Sequence, residues 1–300
     1  MKVETPFIDA HQHFWDLGRN PYPWLQDAQP IPFRYGDYSP LKRNYLPSDL
    51  ARDTEGFAPA KTVHMEAEWD RASPVEETKW LTTLASTTGW PTACVAHAAL
   101  DRDNVEAVIS AQASHTLVRG VRHKPVTSAT RTDARRGLPG SMDDTRWRSG
   151  FALLQRYGLS FDLQAPWWNL DQAADLARDF PSISIIVNHT GLPADRSREG
   201  LDGWRRALER AARAPNVAIK ISGLGQLARP WTQDANVPII RDTIAIFGVD
   251  RCMFASNFPV DGLVASYETI LTGFLAAIAD RTPAERKMLL HDNAQRIYRL

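Results

Sequence analysis

No charge of one sign prevails in this chain, whose 300 residues carry 35 Lys and Arg against 35 Asp and Glu. Without a basic excess, wrapping a nucleic acid or lying on an anionic membrane surface is excluded as the main task. Cysteine is also scarce. Cys94 and Cys252 are far apart and each lies in a strand-like apolar run, so neither a disulfide framework nor a thiolate zinc site can be built. Both read as small buried hydrophobes. No apolar run is long enough to span a bilayer. The start, MKVETPFIDA, lacks the apolar segment behind a basic start that marks a signal peptide. A soluble cytoplasmic protein is expected. Hydrophobic residues make up 43% of the chain, which suffices for a sizeable core.

Short β-type runs alternate with longer amphipathic stretches. The strand candidates are TPFIDAHQ, KTVHMEAE, TACVAHAAL, LVRGVRHK, LSFDLQAP, ISIIVNHT, VAIKISGL and CMFASNFP. Helix-like segments lie between them. Ser73 and Pro74 offer an N-cap and first-turn proline ahead of Glu76 and Glu77. Further helices are expected from Asp101, from Leu170, over Trp204–Ala214 and from Thr282. Eight strands with helical crossovers predict parallel pairing. Closing them gives a distorted (β/α)8 TIM barrel, an α/β fold, with residues 1–300 as one domain. An open doubly wound sheet is the runner-up, but no glycine-rich phosphate loop follows the first strand.

Two post-strand segments are long: Asp16 to Asp49, rich in proline and aromatics, and KPVTSATRTDARRGLPGSMDD after the fourth strand. Loops of this length are lids or binding loops more often than connectors. Both are expected at the C-terminal mouth, where barrel enzymes build their sites.

Strand alternation puts Phe7, Asp9, His11 and His13 on one face and Ile8, Ala10 and Gln12 on the other. With the first face inward, two imidazoles meet at the mouth. They suit a divalent metal or can polarise a carbonyl. In the second strand His64, Glu66 and Glu68 share a face, which brings a carboxylate to the mouth. In the sixth, His189 is the last inward position if Ile183, Ile185 and Val187 point in. The eighth ends at Asn257, which cannot take a proton at working pH, with Asp261 the nearest carboxylate. A positive cluster surrounds the fourth strand: Arg119, Arg122, His123, Lys124, Arg131, Arg135 and Arg136. Arginine forks match carboxylates, so an anionic small-molecule substrate is expected. Gln164 with Trp167 and Trp168, and Arg229 after the seventh strand, are further substrate-binding candidates.

In order along the chain, IDAHQHFW, MEAEW, GVRH, FDLQ-AP, VNHTG, KISGL, MFASNFPVD and DNAQRIYRL resemble the amidohydrolase superfamily. More narrowly, they are similar to its lactonase branch of fuconolactonase-like and pyrone-dicarboxylate-lactonase-like proteins. The resemblance implies a barrel that hydrolyses a lactone or related cyclic ester, with one divalent metal, zinc first, or with none. It matches His11, His13 and His189 to the family's site histidines, and Arg122 and Arg131 to positions that hold a substrate carboxylate. The family usually has a metal-binding, water-activating aspartate where this chain has Asn257. That departure weakens a site for a hard cation and leaves Glu66, Asp261 or His189, in that order, to activate water.

The catalytic set expected is therefore His11, His13, Glu66, His189, Asn257 and Asp261, with His11 and His13 also the metal candidates. Two rivals stand beside a lactone hydrolase. One is a metal-dependent decarboxylase of an unsaturated or aromatic acid, and the other a binding barrel without catalysis. Nothing in the sequence decides whether the chain forms a homo-oligomer.

Overall fold

The computed structural model describes residues 6–300. Residues 1–5, which hold the first half of the start read for a signal peptide and the Thr5 that opens the first strand candidate, lie outside the described residues. Eight parallel strands form one sheet in sequence order: β1 (Ile8–Gln12), β2 (Lys61–Met65), β3 (Ala93–His97), β4 (Val118–Arg122), β5 (Ser160–Leu163), β6 (Ile185–Val187), β7 (Val217–Ile221) and β8 (Cys252–Phe254). The seam between β8 and β1 closes just past the strand ends. The Asn257 amide donates to His11 O at 2.8 Å and the His13 amide to Phe258 O at 2.8 Å. The expected (β/α)8 barrel is the fold.

The helices begin where their local chemistry dictates. Thr282 and Glu285 form a reciprocal capping box ahead of Pro283–Lys287. Helix Pro74–Thr88 has proline in its first turn, but Ser73 makes no side-chain cap bond. Helix Val105–Ala113 starts four residues after Asp101, and helix Arg198–Ala212 starts six before Trp204. Cys94 and Cys252 are buried free thiols. Among the described residues, no helix is long and apolar enough to cross a membrane.

Two apolar layers flank the sheet. Ile8, Ala10, Val63, Met65, Val95, Ile186, Ala218, Met253 and Ala255 pack together with Ala294 of the C-terminal helix, Asn293–Ile297, and with Tyr298, which caps it. They line the barrel interior, and the C-terminal helix seals its base. Phe7, Cys94, Phe161, Ile185, Val187, Ile219 and Phe254 instead join the layer between strands and helices.

This division corrects two readings of strand alternation. On β1 it is Ile8 and Ala10 that point inward, while Phe7 packs outward on Phe254 and Tyr267. The pairing with β2 runs Asp9 to Thr62 but Gln12 to His64, so β1 carries one extra residue. A bulge of this kind re-aims the side chains beyond it. On β6, Ile185 and Val187 face the helices and Ile186 faces in, so alternation alone would send His189 outward. His189 and Thr190 have left-handed φ values of 55° and 53°, and this turn swings the imidazole back to the mouth. On β2, His64 also faces the helices, its Nε2 lying 3.5 Å from Glu77.

Candidate functional site

The bulge within β1 delivers His11, in the strand, and His13, just past its end, to one place. Their Nε2 atoms lie 3.2 Å apart, and the His11 ring lies 4.6 Å from the ring of His189. His13 Nδ1 donates to Met65 O at 2.8 Å, which leaves Nε2 with its lone pair. His189 Nδ1 lies 2.9 Å from Ser222 Oγ. Gly223 makes that approach possible, since a Cβ there would fall 2.7 Å from the His189 Cβ. Burial, assisted by neighbouring positive charge, holds all three imidazoles well below the ordinary histidine range. They are neutral at pH 7.

A cavity of about 380 Å³ opens above them, lined by His13, His189, Asn257, Arg122, Lys124 and Gln164, with Arg34 reaching in from the long first loop. Trp15, Trp24, Phe33, Leu192 and Val260 supply apolar wall. Trp24 and Phe33 stack at 5.9 Å, 9° from parallel. The first long loop thus covers the mouth, as a lid would. The second leaves only Lys124 on the cavity wall. Its Arg131 pairs with Glu199 at 2.8 Å, and Arg136 pairs with Asp143 and Asp175.

The carboxylate candidates are committed elsewhere. Glu66 accepts from Arg122 Nε at 2.7 Å and Arg71 Nη1 at 2.9 Å. Burial alone would raise Glu66, but the two guanidiniums hold it well below the usual carboxylate range. Asp261 accepts from Asn257 Nδ2 at 2.6 Å, Tyr35 Oη at 2.9 Å, Gly223 N at 3.1 Å and Arg34 Nη2 at 3.2 Å. Burial raises its pKa, against the pull of Arg34 and these donors. Neither carboxylate is on the cavity wall.

The other candidates scatter. Arg122 Nη1 donates to Gln164 Oε1 at 3.2 Å, so those two stand together. His123 accepts from Leu100 N and Trp147 Nε1 and faces a different cavity with His97. Trp168 and Arg229 border a third cavity. Trp167 is buried against Gly203. His11 is wholly buried and lies behind His13, off the cavity wall. Arg34, by contrast, was not foreseen. Its Nη1 is buried without a partner, and its place between Phe33 and Tyr35, as one of three arginines in the Asp16–Asp49 segment, was the only signal of it.

The imidazole pair fits a resident metal poorly. A ligating histidine donates its other ring N–H to a carboxylate, carbonyl or water. His13 does so, but His11 Nδ1 is buried with no partner. The anionic donor expected at the end of β8 is the Asn257 amide, turned toward Asp261. Among the described residues, no group of three or more His, Cys, Asp or Glu side chains is arranged to hold a metal ion.

A parallel eight-stranded barrel with histidines after β1 and β6 facing one mouth is the architecture of a hydrolase class. The model of the family described as Amidohydrolase matches residues 8–300, and the chain belongs to that family. It is 40% identical over 297 residues to the uncharacterized protein y4mH of Sinorhizobium fredii, covering 99% of both chains. It is 28% identical to an L-fucono-1,5-lactonase of Burkholderia multivorans, covering 98% of this chain and 96% of the lactonase. Among solved structures, an amidohydrolase from Burkholderia multivorans with bound zinc superposes with a TM-score of 0.80 at 27% identity, over 98% of this chain and 99% of that one. The protein is a hydrolase of the amidohydrolase type, related to lactonases.

Proposed function

We propose that the protein opens a small lactone of a sugar acid or of a carboxylate-bearing compound, with His189 as the general base. The observation that carries this reading is the cavity wall itself. His189 is the basic side chain there whose Nε2 has no protein acceptor or donor assigned, while Glu66 and Asp261 are held off the wall. With Nδ1–H donated to Ser222, Nε2 carries the lone pair. It takes a proton from water as the oxygen attacks the lactone carbonyl, then returns it to the ring oxygen as that C–O bond breaks. The product is an open hydroxy acid.

Arg122 and Lys124 face the oxyanion that develops on the carbonyl. Arg34 Nη1 is the free donor for a carboxylate or hydroxyl on the substrate. Arg34, Arg122 and Lys124 set three cations against Glu68 among the wall residues, which favours an anionic or richly hydroxylated ligand. The aromatic side of the wall covers the ring face. The kinship with an L-fucono-1,5-lactonase supports a sugar lactone as the first candidate.

A panel of aldonolactones and dicarboxylate lactones, followed by pH-stat titration, tests the reading. Ring opening is expected to fall about 10²–10⁴-fold in His189→Ala and to be insensitive to chelator. Full activity in that variant would remove His189 from the role, and no turnover of any lactone would remove the substrate class.

A further inference from the structure

A cavity of about 710 Å³, to which the mechanism above gives no task, lies over the ends of β2, β3 and β4 beside the active-site cavity. Two imidazoles line it, His97 at the end of β3 and His123 just past β4. Their ring centres are 5.8 Å apart and their planes cross at 83°. Each engages the protein through Nδ1. His97 Nδ1 donates to Arg122 O at 3.1 Å, so its Nε2 keeps a lone pair. His123 Nδ1 accepts from Leu100 N and Trp147 Nε1, both at 3.1 Å, so its proton stays on Nε2. Burial holds both rings below the ordinary histidine range, His97 at about 4, and they are neutral at pH 7. The two rings therefore offer the cavity one fixed acceptor and one fixed donor.

A hydroxyl both donates and accepts, so neighbouring hydroxyls satisfy this pair. An ionised carboxylate has no proton to give the His97 lone pair. The surrounding charge agrees. Arg71, Arg102 and Lys124 are matched on this wall by Glu68, Glu76 and Asp101, whereas the active-site wall sets three cations against Glu68 alone. One cavity suits a neutral polar guest, the other an anionic one. Pro74, Val75 and Val108 add an apolar stretch for the C–H face of a sugar ring.

The two spaces meet at one ion pair. Glu68 and Lys124 line both cavities and are paired with each other. Glu68 also has a left-handed φ of 62°, which a non-glycine residue keeps only where its surroundings impose it. Arg71, paired with both Glu66 and Glu68, is one such constraint. This bend stands the Glu68 carboxylate between the cavities.

We propose that the second cavity is a sugar subsite of the active site, holding a neutral glycosyl substituent of the substrate whose hydroxyls are read by His97 Nε2 and His123 Nε2–H. The substrate class is then a glycosylated aldonolactone. Its lactone end rests on the reading that His189 opens the ring; its sugar end rests on the second cavity.

Calorimetric titration of the full chain with gluconate and with maltobionate, cellobionate and lactobionate, its glycosylated forms, reads the subsite without turnover. At least one of the three is expected to bind about tenfold tighter than gluconate, the gain of one or two neutral hydrogen bonds. His97→Asn and His123→Asn keep an amide atom for the partners of Nδ1 and have nothing in place of Nε2. Each is expected to cut the preference about five- to tenfold. The parent disaccharides, which lack the acid, are expected to bind about tenfold more weakly than their acids. Equal binding of gluconate and all three glycosylated acids overturns the proposal. So does a preference unchanged in both folded variants, or a disaccharide that binds as tightly as its acid. Assays with the corresponding lactones separate the two readings: preference without ring opening leaves the subsite and removes the reaction, and ring opening without preference does the reverse.

Discussion

Replacing Asn257 by aspartate puts a second carboxylate where the amide now donates to Asp261 at 2.6 Å. Two ionised oxygens at that spacing repel by roughly 6 kcal/mol at an effective dielectric constant of about 20. Holding one proton on the pair at pH 8, against an ordinary aspartate pKa of about 3.9, costs about 5–6 kcal/mol by a similar measure. Either route predicts that Asn257→Asp is destabilised by about 5 kcal/mol at pH 8. At pH 5.5 the cost of retaining that proton falls to about 2 kcal/mol. The sign follows from linkage: the new carboxyl has a raised pKa in the fold, so its penalty is present at high pH and shrinks as the pH falls. Urea unfolding of both proteins at pH 8 and 5.5 measures the difference. A gap between variant and wild type that does not narrow by at least about 2 kcal/mol on acidification would refute the view of Asn257 as the neutral partner of a buried carboxylate. Zinc is expected to raise the midpoint of the variant, which regains an anionic donor beside His11 and His13, and to leave the wild type unmoved.

Arg34→Ala removes a charge-assisted donor worth roughly 1.5–3 kcal/mol, so kcat/KM for carboxylate-bearing lactones should fall about 10–100-fold; an equal fall for neutral aldonolactones would show that Arg34 only braces Asp261. Acid should destabilise the fold early, because His11, His13 and His189 are held neutral well below their ordinary pKa and His97 is lowered, chiefly by burial, to about 4. His64, lowered by burial to about 3, joins them; the unfolded chain binds protons below about pH 6.5 that these five sites refuse, which costs up to about 6 kcal/mol between pH 6 and 5, less what Asp9, Asp261 and Glu77, with pKa values raised chiefly by burial and that of Glu77 to about 8, return by protonating. Urea midpoints that hold steady over that interval would contradict the neutral assignment.

The sequence announced the barrel because each strand and helix carries its own local signal: apolar runs of the right length, with capping residues such as Thr282 between them. His11, His13 and His189 were legible as a group because each lies at or just past the end of a strand. The reason assigned to them was not. Alternation placed Asp9 beside His11 and Ile185 beside His189, whereas a bulge and a left-handed turn invert the face at both positions. Such irregularities are set by tertiary pairing and leave no period in the sequence. The partners of Arg34 and Lys220 were hidden for a related reason. Arg34 arrives from a lid over two hundred residues from Asp261, its partner, and Lys220 on β7 meets Asp162 on β5, at 2.7 Å, across the closed interior.

The extra residue in β1 means that this strand obeys two reading frames. In the first, Asp9 must face outward, where it accepts from Ser256 N at 2.9 Å, Ser256 Oγ at 2.5 Å and Tyr267 Oη at 3.0 Å, tying β1 to β8. In the second, His13 must face the cavity. Deleting one residue between them would not shorten the site; it would turn the imidazoles into the helix layer or break the barrel at its last seam. Asp-x-His-x-His is thus a frameshift written into the backbone, and its spacing is fixed by closure of the fold as much as by chemistry at the mouth.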